Sequence, residues 1–451
     1  MESLRNMLQC IGASPRARTD AAYLILGGSS VGFSAQPGIL LIIGTLWLVW
    51  EALQCLKNCT SGVLQCLRPI AILTMWVAPA ISYVLTNSAE YTGYRLWIPA
   101  VDYFYFAGPG TAALLLGLQG AERLHKPAAA TSPHKPRVFV CFLLAVGSSL
   151  QALAPPTADY LQYPVHLGSW LVWPGLLLAM RVWPAQRRMI ALAGSIYALA
   201  LALHSTYFGA ASCWVLVLWL SAGQSKPMPL WRPLAFLLGI GVLILFLLSF
   251  KYTYREQKKP NTMDVGLFLN LASNQLRRPI QIFQPEALSR AISRFNQGFH
   301  TAQAMAYVPS RTPFVRGETL RHDLWGALVP RLLDPQKPRA GGKENLRRFA
   351  GLNQYRISAN IGIYGEAYIN FGAEGGWALL LAYGWILGLL WNLSNRFPGP
   401  HWRPYLFLPA VIVESDLGIV LNHICKSALV AATLTLLWHA LTHFCRRAHL
   451  K

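Results

Sequence analysis

Acidic residues are scarce in this chain. Among 451 residues, 18 Asp and Glu stand against 39 Lys and Arg, and charged residues of both signs make up only 13%. So little charge excludes an ordinary soluble protein of two or three domains. Cysteine is thin as well. Cys10, Cys55, Cys59, Cys66, Cys141, Cys213, Cys425 and Cys445 fall in apolar runs, at their ends, or in loops assigned below to the cytoplasm, which excludes a disulfide framework. Cys55 and Cys59 share a helix face but lack nearby histidines, so no metal site is expected there. There is no HExxH and no paired-carboxylate metal signature, and His204, His300 and His322 are scattered, so neither metal nor cofactor is expected. The internal repeat that a transporter would show is also missing.

In place of charge the chain has apolar length, with 54% hydrophobic residues. Runs near 38–56, 68–86, 98–118, 137–155, 164–182, 189–204, 206–221, 232–250, 375–393, 402–421 and 425–444 are mostly long enough to cross a hydrocarbon core of about 30 Å. A twelfth, 20–36, is short and Gly-rich. It follows Arg5, Arg16 and Arg18 as a secretory leader would, but cleavage after Ala35 would put Phe33 where a small residue is wanted, so it is read as a span or a re-entrant piece.

Placing these runs sorts the basic residues by side. One side receives Lys57, Arg68, Arg123, Lys126, Lys135, Arg137, Arg181, Arg187, Arg188, Lys226, Arg232, Arg396, Arg403, Arg446, Arg447 and Lys451, while the opposite short loops carry only Arg95 and Lys426. Positive charge is retained on the cytoplasmic side, so the C-terminus is expected there. Keeping the first arginines inside as well favours twelve helices over eleven. The expected organisation is an all-α polytopic membrane protein: N-terminal transmembrane helices over 1–250, a large, partly helical external segment over 251–374, and C-terminal transmembrane helices over 375–451.

Residues 251–356 contain no membrane-length apolar run and hold 18 Lys and Arg against seven acids. Long segments cross a membrane largely regardless of charge, so topology does not explain this excess. Two readings remain: attraction to anionic lipid headgroups, and binding of phosphate or pyrophosphate, for which the bidentate guanidinium is suited. Thirteen of the 18 are Arg, which favours the second. Nucleic acid is not an expected partner. The periodicity of Leu288, Ile292, Phe295 and Phe299 predicts a helix over Pro285–Val308. Prolines in 324–342 predict a stiff extended piece presenting Arg331, Lys337 and Arg339.

The stretch "GEAYINFGAEGG" at 365–376 places Glu366, Asn370 and Glu374 at the entrance to a span. If 357–371 is helical, Glu366 and Asn370 share a face with Gly362, and Gly372, Gly375 and Gly376 allow a bend before the span. That would aim Glu366 along the membrane surface. The order Arg294, "GETL" at 317–320, "VPRLLDPQKP" at 329–338 and then this stretch resembles the bacterial Wzy-type polymerases of O-antigen and exopolysaccharide repeat units. Relatives tend to carry an aromatic residue where this chain has Leu333-Asp334.

The resemblance implies an inner-membrane enzyme with a periplasmic loop that transfers a growing glycan from undecaprenyl pyrophosphate to the next lipid-linked repeat unit. Membrane lipids, and a chain-length regulator and a flippase, would be its other partners. Such chemistry must stabilise a leaving pyrophosphate and deprotonate a sugar hydroxyl. Arg331 and Arg356 are the candidates for the first task and Glu366 for the second, with Arg277, Arg294, Lys337, Arg339, Tyr368 and Asn370 as substrate contacts. A helix-end carboxylate paired with a loop arginine is the structural alternative for Glu366. Asp102, Glu414 and Asp416 lie inside expected spans, where ionisable groups are costly; the last two would bind sugar hydroxyls, act as base, or pair with Lys426. Tyr91, Tyr94, Trp97, Tyr103, Phe104 and Tyr105 form either a sugar-stacking surface or an interfacial belt. An O-antigen ligase and a lipid-linked oligosaccharide flippase are the competing functions.

Overall fold

The computed structural model describes residues 15–57, 63–85, 95–124, 136–153, 165–205, 208–223, 231–257, 264–329, 333–334, 336, 343–352, 360–394, 401–412 and 415–448. Among these every regular element is helical. In chain order they are α1 (Pro15–Gly32), α2 (Pro37–Lys57), α3 (Val63–Leu85), α4 (Ala100–Arg123), α5 (Pro136–Leu153), α6 (Val165–Val182), α7 (Arg187–Ser205), α8 (Phe208–Ala222) and α9 (Trp231–Gln257). Then follow α10 (Val265–Arg277), α11 (Pro285–Phe295), α12 (Gly298–Tyr307), α13 (Glu318–Leu328), α14 (Lys343–Ala350), α15 (Gly362–Leu393), α16 (Trp402–Val411) and α17 (Leu417–Ala448).

Five helical segments are long and apolar enough to cross a membrane: Pro37–Leu56, Val63–Leu85, Val165–Val182, Gly362–Leu393 and Leu417–Ala440. Pro136–Ala152 and Ala211–Ala222 are apolar but shorter. The stretch expected at 20–36 is helical as α1 and is not one of the five. At the centre of the bundle α4 packs along α15. Their backbones approach closely because Gly117 faces the Leu381 carbonyl and Gly384 faces the Leu114 carbonyl, where a β-carbon would collide.

Three sequence expectations change. The single span at 402–421 is broken: α16 stops at Val411 after only ten residues, and α17 starts at Leu417. At about 1.5 Å per residue α16 is only about 15 Å long. Pro409 near its end and Asp416 before α17 account for the break, since the Asp416 side chain caps the new helix by accepting from the Ile419 N–H at 2.9 Å. The helix expected over Pro285–Val308 is two helices, because Asn296 Oδ1 accepts from the Phe299 N–H at 3.1 Å and so starts α12 afresh. The extended piece expected from Leu324 begins later: Leu324–Leu328 complete α13, which stops before Pro330.

Helices α10 to α14 form a cap over one end of the bundle. Ala304, Val308, Leu346, Phe349, Ile361 and Ile369 make its own small apolar core, which ties α12 and α14 to the start of α15. Asn296 Nδ2 donates to Ser82 Oγ at 2.7 Å, and the small Gly298 lies against the Tyr103 ring, so the cap also seats on α3 and α4.

Candidate functional site: three carboxylates at one helix start

The site is built on the first third of α15. Gly372 interrupts the helix with φ +72° and ψ −159°, a conformation open to glycine. The interruption removes the partners of the Ile369 and Asn370 carbonyls. These instead accept from the Val315 and Arg316 N–H groups at 3.0 and 3.1 Å. The expected bend is therefore present at Gly372, and it is also where the cap attaches.

Asn370 is fully buried and uses its whole amide. Its Oδ1 accepts from the Gly317 N–H at 2.8 Å, while Nδ2 donates to Thr319 Oγ1 at 2.7 Å and to the Glu366 carbonyl one turn back at 2.8 Å. Gly317 has φ +90° and Arg316 φ +48°, so the chain turns sharply to present that N–H. Glu318, next in line, accepts from Arg348 through both oxygens at 2.7 and 3.1 Å, which holds its carboxyl below the usual range. The stretches 317–320 and 365–376, distant in sequence, thus interlock through one asparagine.

Glu366, on the same face as Asn370, is 0% exposed. It points inward rather than along the membrane surface. Its Oε2 accepts from the Leu417 N–H at 2.9 Å, and its Oε1 is buried with no hydrogen-bond partner among the described residues. Asp323 of α13 accepts from the Gly418 N–H at 3.0 Å, and Asp416 from the Ile419 N–H. Three consecutive N–H groups at the start of α17 therefore each serve a different carboxylate, from three separate elements. Exposed helix-end donors and the positive end of the helix dipole favour anionic side chains here. No salt bridge among the described residues joins Asp323, Glu366 or Asp416 to a basic side chain, so the alternative pairing of Glu366 with a loop arginine is not observed among them. Burial raises the Asp323 carboxyl above its ordinary range, and burial likewise raises Asp416 to about 6, with Asp323 adding to the effect.

The other candidates distribute unevenly. Tyr368 is half-buried between the Phe106 and Phe314 rings, at 5.2 and 5.9 Å between centroids. Glu374 accepts from Tyr105 Oη at 3.0 Å on an exposed face. Arg294 ends α11 and acts on Cys213 and His300, away from the carboxylates, and Arg277 is exposed at the end of α10. Arg331, Lys337, Arg339, Arg356, Glu414, Tyr91 and Tyr94 lie outside the described residues. Tyr103 and Phe104 are fully buried, and Tyr103 Oη donates to the Met75 carbonyl at 2.8 Å, so these two belong to the core and not to a sugar-stacking surface. No group of three His, Cys, Asp or Glu among the described residues is placed to hold a metal ion.

Asp323 is the member that sequence reasoning missed. It lies in a short polar helix with no apolar run to make its charge conspicuous. The signal available was position: it follows the 317–320 motif within one helix. Asp416 was read as a charge inside a span, although an Asp directly before the apolar run "LGIVL" also reads as a helix cap. No family model, curated protein or solved structure matches the chain.

Proposed function

We propose that this protein polymerises undecaprenyl-pyrophosphate-linked oligosaccharide repeat units at the periplasmic face of a bacterial inner membrane. The observation that carries this reading is the interlock of Gly317 and Thr319 with Asn370. It brings together two of the segments on which the resemblance to Wzy-type polymerases rests, 317–320 and 365–376, beside an otherwise unexplained trio of carboxylates.

The hydroxyl of an incoming lipid-linked unit attacks the anomeric carbon of the growing glycan. Its proton passes to a carboxylate as the bond from that carbon to the pyrophosphate oxygen breaks. Asp323 is half-buried and Glu366 lies fully buried behind it, so Asp323 meets the acceptor hydroxyl and Glu366 takes up or returns the proton. Burial that lifts the Asp323 carboxyl towards neutrality suits a general base. Arg331 and Arg356 stabilise the departing pyrophosphate, while Lys337, Arg339, Arg294 and Arg277 draw the anionic carriers towards the cap.

The test gives purified parent, Asp323→Asn, Glu366→Gln and Arg331→Ala proteins the lipid-linked repeat unit and resolves the products by length. A ladder from the parent that disappears in folded variants supports the assignment. An intact parent that makes no ladder overturns it, and transfer to a non-repeat acceptor would then identify a ligase.

A further inference from the structure

Three consecutive residues at the start of α16 contain buried polar atoms that nothing among the described residues satisfies. His401 is 2% exposed, and neither of its ring nitrogens has a hydrogen-bond partner among the described residues. Trp402, fully buried, leaves its indole N–H unused, and Arg403 leaves Nε unused. Buried donors without acceptors are rare in folded proteins, and clusters of them point to an unrecorded water, ion or ligand.

The charge around them has one sign. Arg181, in the last turn of α6, acts electrostatically on both His401 and Arg403, and no ion pair among the described residues involves Arg181 or Arg403. The Arg403 guanidinium carbon lies over the Trp391 ring, 5.2 Å from its centroid, which helps to hold the side chain in place. The nearby Arg187 already donates from Nε to the Met180 carbonyl at 3.0 Å. Burial and Arg181 push the His401 ring down to about 3, so it is neutral at physiological pH and offers one donor and one acceptor. The first N–H groups of α16 add a helix start with no intrahelical acceptors.

We propose that the junction of α6 and α16 binds a phosphate group through Arg181, Arg403 and His401. A tetrahedral anion with several acceptor oxygens would accept from Arg181, Arg403 and the neutral His401 ring and separate two arginines that otherwise repel each other. A metal cation is excluded by the sign of the charge. Because the site lies at an end of an apolar bundle where helices finish, the phosphate is that of an anionic phospholipid headgroup entering between two helices.

The experiment uses protein stripped of lipid in a non-ionic detergent without phosphate. It is titrated separately with phosphatidylglycerol, phosphatidylcholine and inorganic phosphate, following thermal unfolding and lipid retained in native mass spectrometry. Phosphatidylglycerol should raise the melting temperature and remain bound at one copy, and its affinity should fall at least tenfold in Arg181→Gln/Arg403→Gln. A response to inorganic phosphate as large as that to the lipid assigns the site to a free anion. Equal binding by parent and double variant, or no binding by the parent, overturns the proposal. If the double variant does not fold, arginine modification by phenylglyoxal decides: phosphatidylglycerol must protect Arg181 and Arg403 in the parent, and absence of protection overturns the site.

Discussion

At the end of the bundle where α4 and α15 finish, Arg68 donates to Glu122 at 2.8 Å, Arg123 pairs with Asp20, and Tyr23 donates to the buried Glu51. At the capped end, Asp323, Glu366 and Asp416 also lie close together, but the groups that serve them are backbone N–H donors of α17. The first arrangement sets two arginines against Glu122 and Asp20 and gives Glu51 a tyrosine hydroxyl. Among the described residues the second sets three carboxylates against helix-end N–H groups, with the Asp323 and Glu366 side chains also in contact with each other. Burial pushes both Asp323 and Asp416 towards the protonated form, which is a setting in which carboxylates do acid–base work. The comparison separates acidic residues paired with arginine from acidic residues held by a helix start.

The largest expected contrast lies in turnover. Glu366→Gln and Asp323→Asn keep an acceptor oxygen for the Leu417 and Gly418 N–H groups, yet should lower glycan polymerisation by about 10²- to 10⁴-fold per folded molecule. Arg68→Met at the other end should leave turnover per folded molecule nearly unchanged. Its effect belongs to stability: removing the half-buried partner of Glu122 beside buried Glu51 should cost about 1–3 kcal/mol, read as an early thermal melt in detergent. If Arg68→Met abolishes turnover while the protein stays folded, the division between the two ends is lost.

Asp416→Asn sharpens the comparison through pH. The folded carboxyl titrates near 6 against an ordinary 3.8, so the folded state holds the proton longer than the unfolded chain. Below about pH 4 both states are protonated and the substitution is neutral. As pH rises through 4 to 6 the native protein loses stability relative to the unfolded state, and above that the full cost, about 3 kcal/mol at most, is present. Asparagine also caps helices, so the variant should melt higher than the parent at pH 7.5 and match it near pH 4. Melting curves that shift equally at both pH values would remove the electrostatic account. The smallest effect is expected from Arg348→Gln. Its ion pair with Glu318 is substantially exposed, and the loss should stay within about 1 kcal/mol in the same melting assay.

That the chain is helical and carries membrane-length apolar segments could be read from hydrophobic runs, because apolar length is a coarse signal that survives errors of a few residues at each end. The bend at Gly372 was legible for a related reason: three glycines between a polar turn and an apolar run have few other uses. The break between α16 and α17 was not read, since Pro409 and Asp416 were averaged into a window that still looked apolar. The direction of Glu366 was misread because helical spacing says which residues share a face and not what that face meets. Here it meets α17, about fifty residues further along the chain. Asp323 was out of reach for the same reason, as its Gly418 partner is 95 positions away. Asn370 was picked for its spacing from Glu366, and its tie to Gly317 is a contact between distant segments that spacing does not specify.

The short α16 has a consequence for biosynthesis. Ten residues are too few to be recognised as a span on emerging from the ribosome, so α16 depends on α17, which follows it, for its place in the bundle. The N–H groups of Leu417, Gly418 and Ile419 arrive with that pair. Until they do, Glu366 and Asp323 lack the α17 donors that hold them, and the carboxylate cluster is therefore assembled late, after the first fifteen helices, the cap among them, have been made.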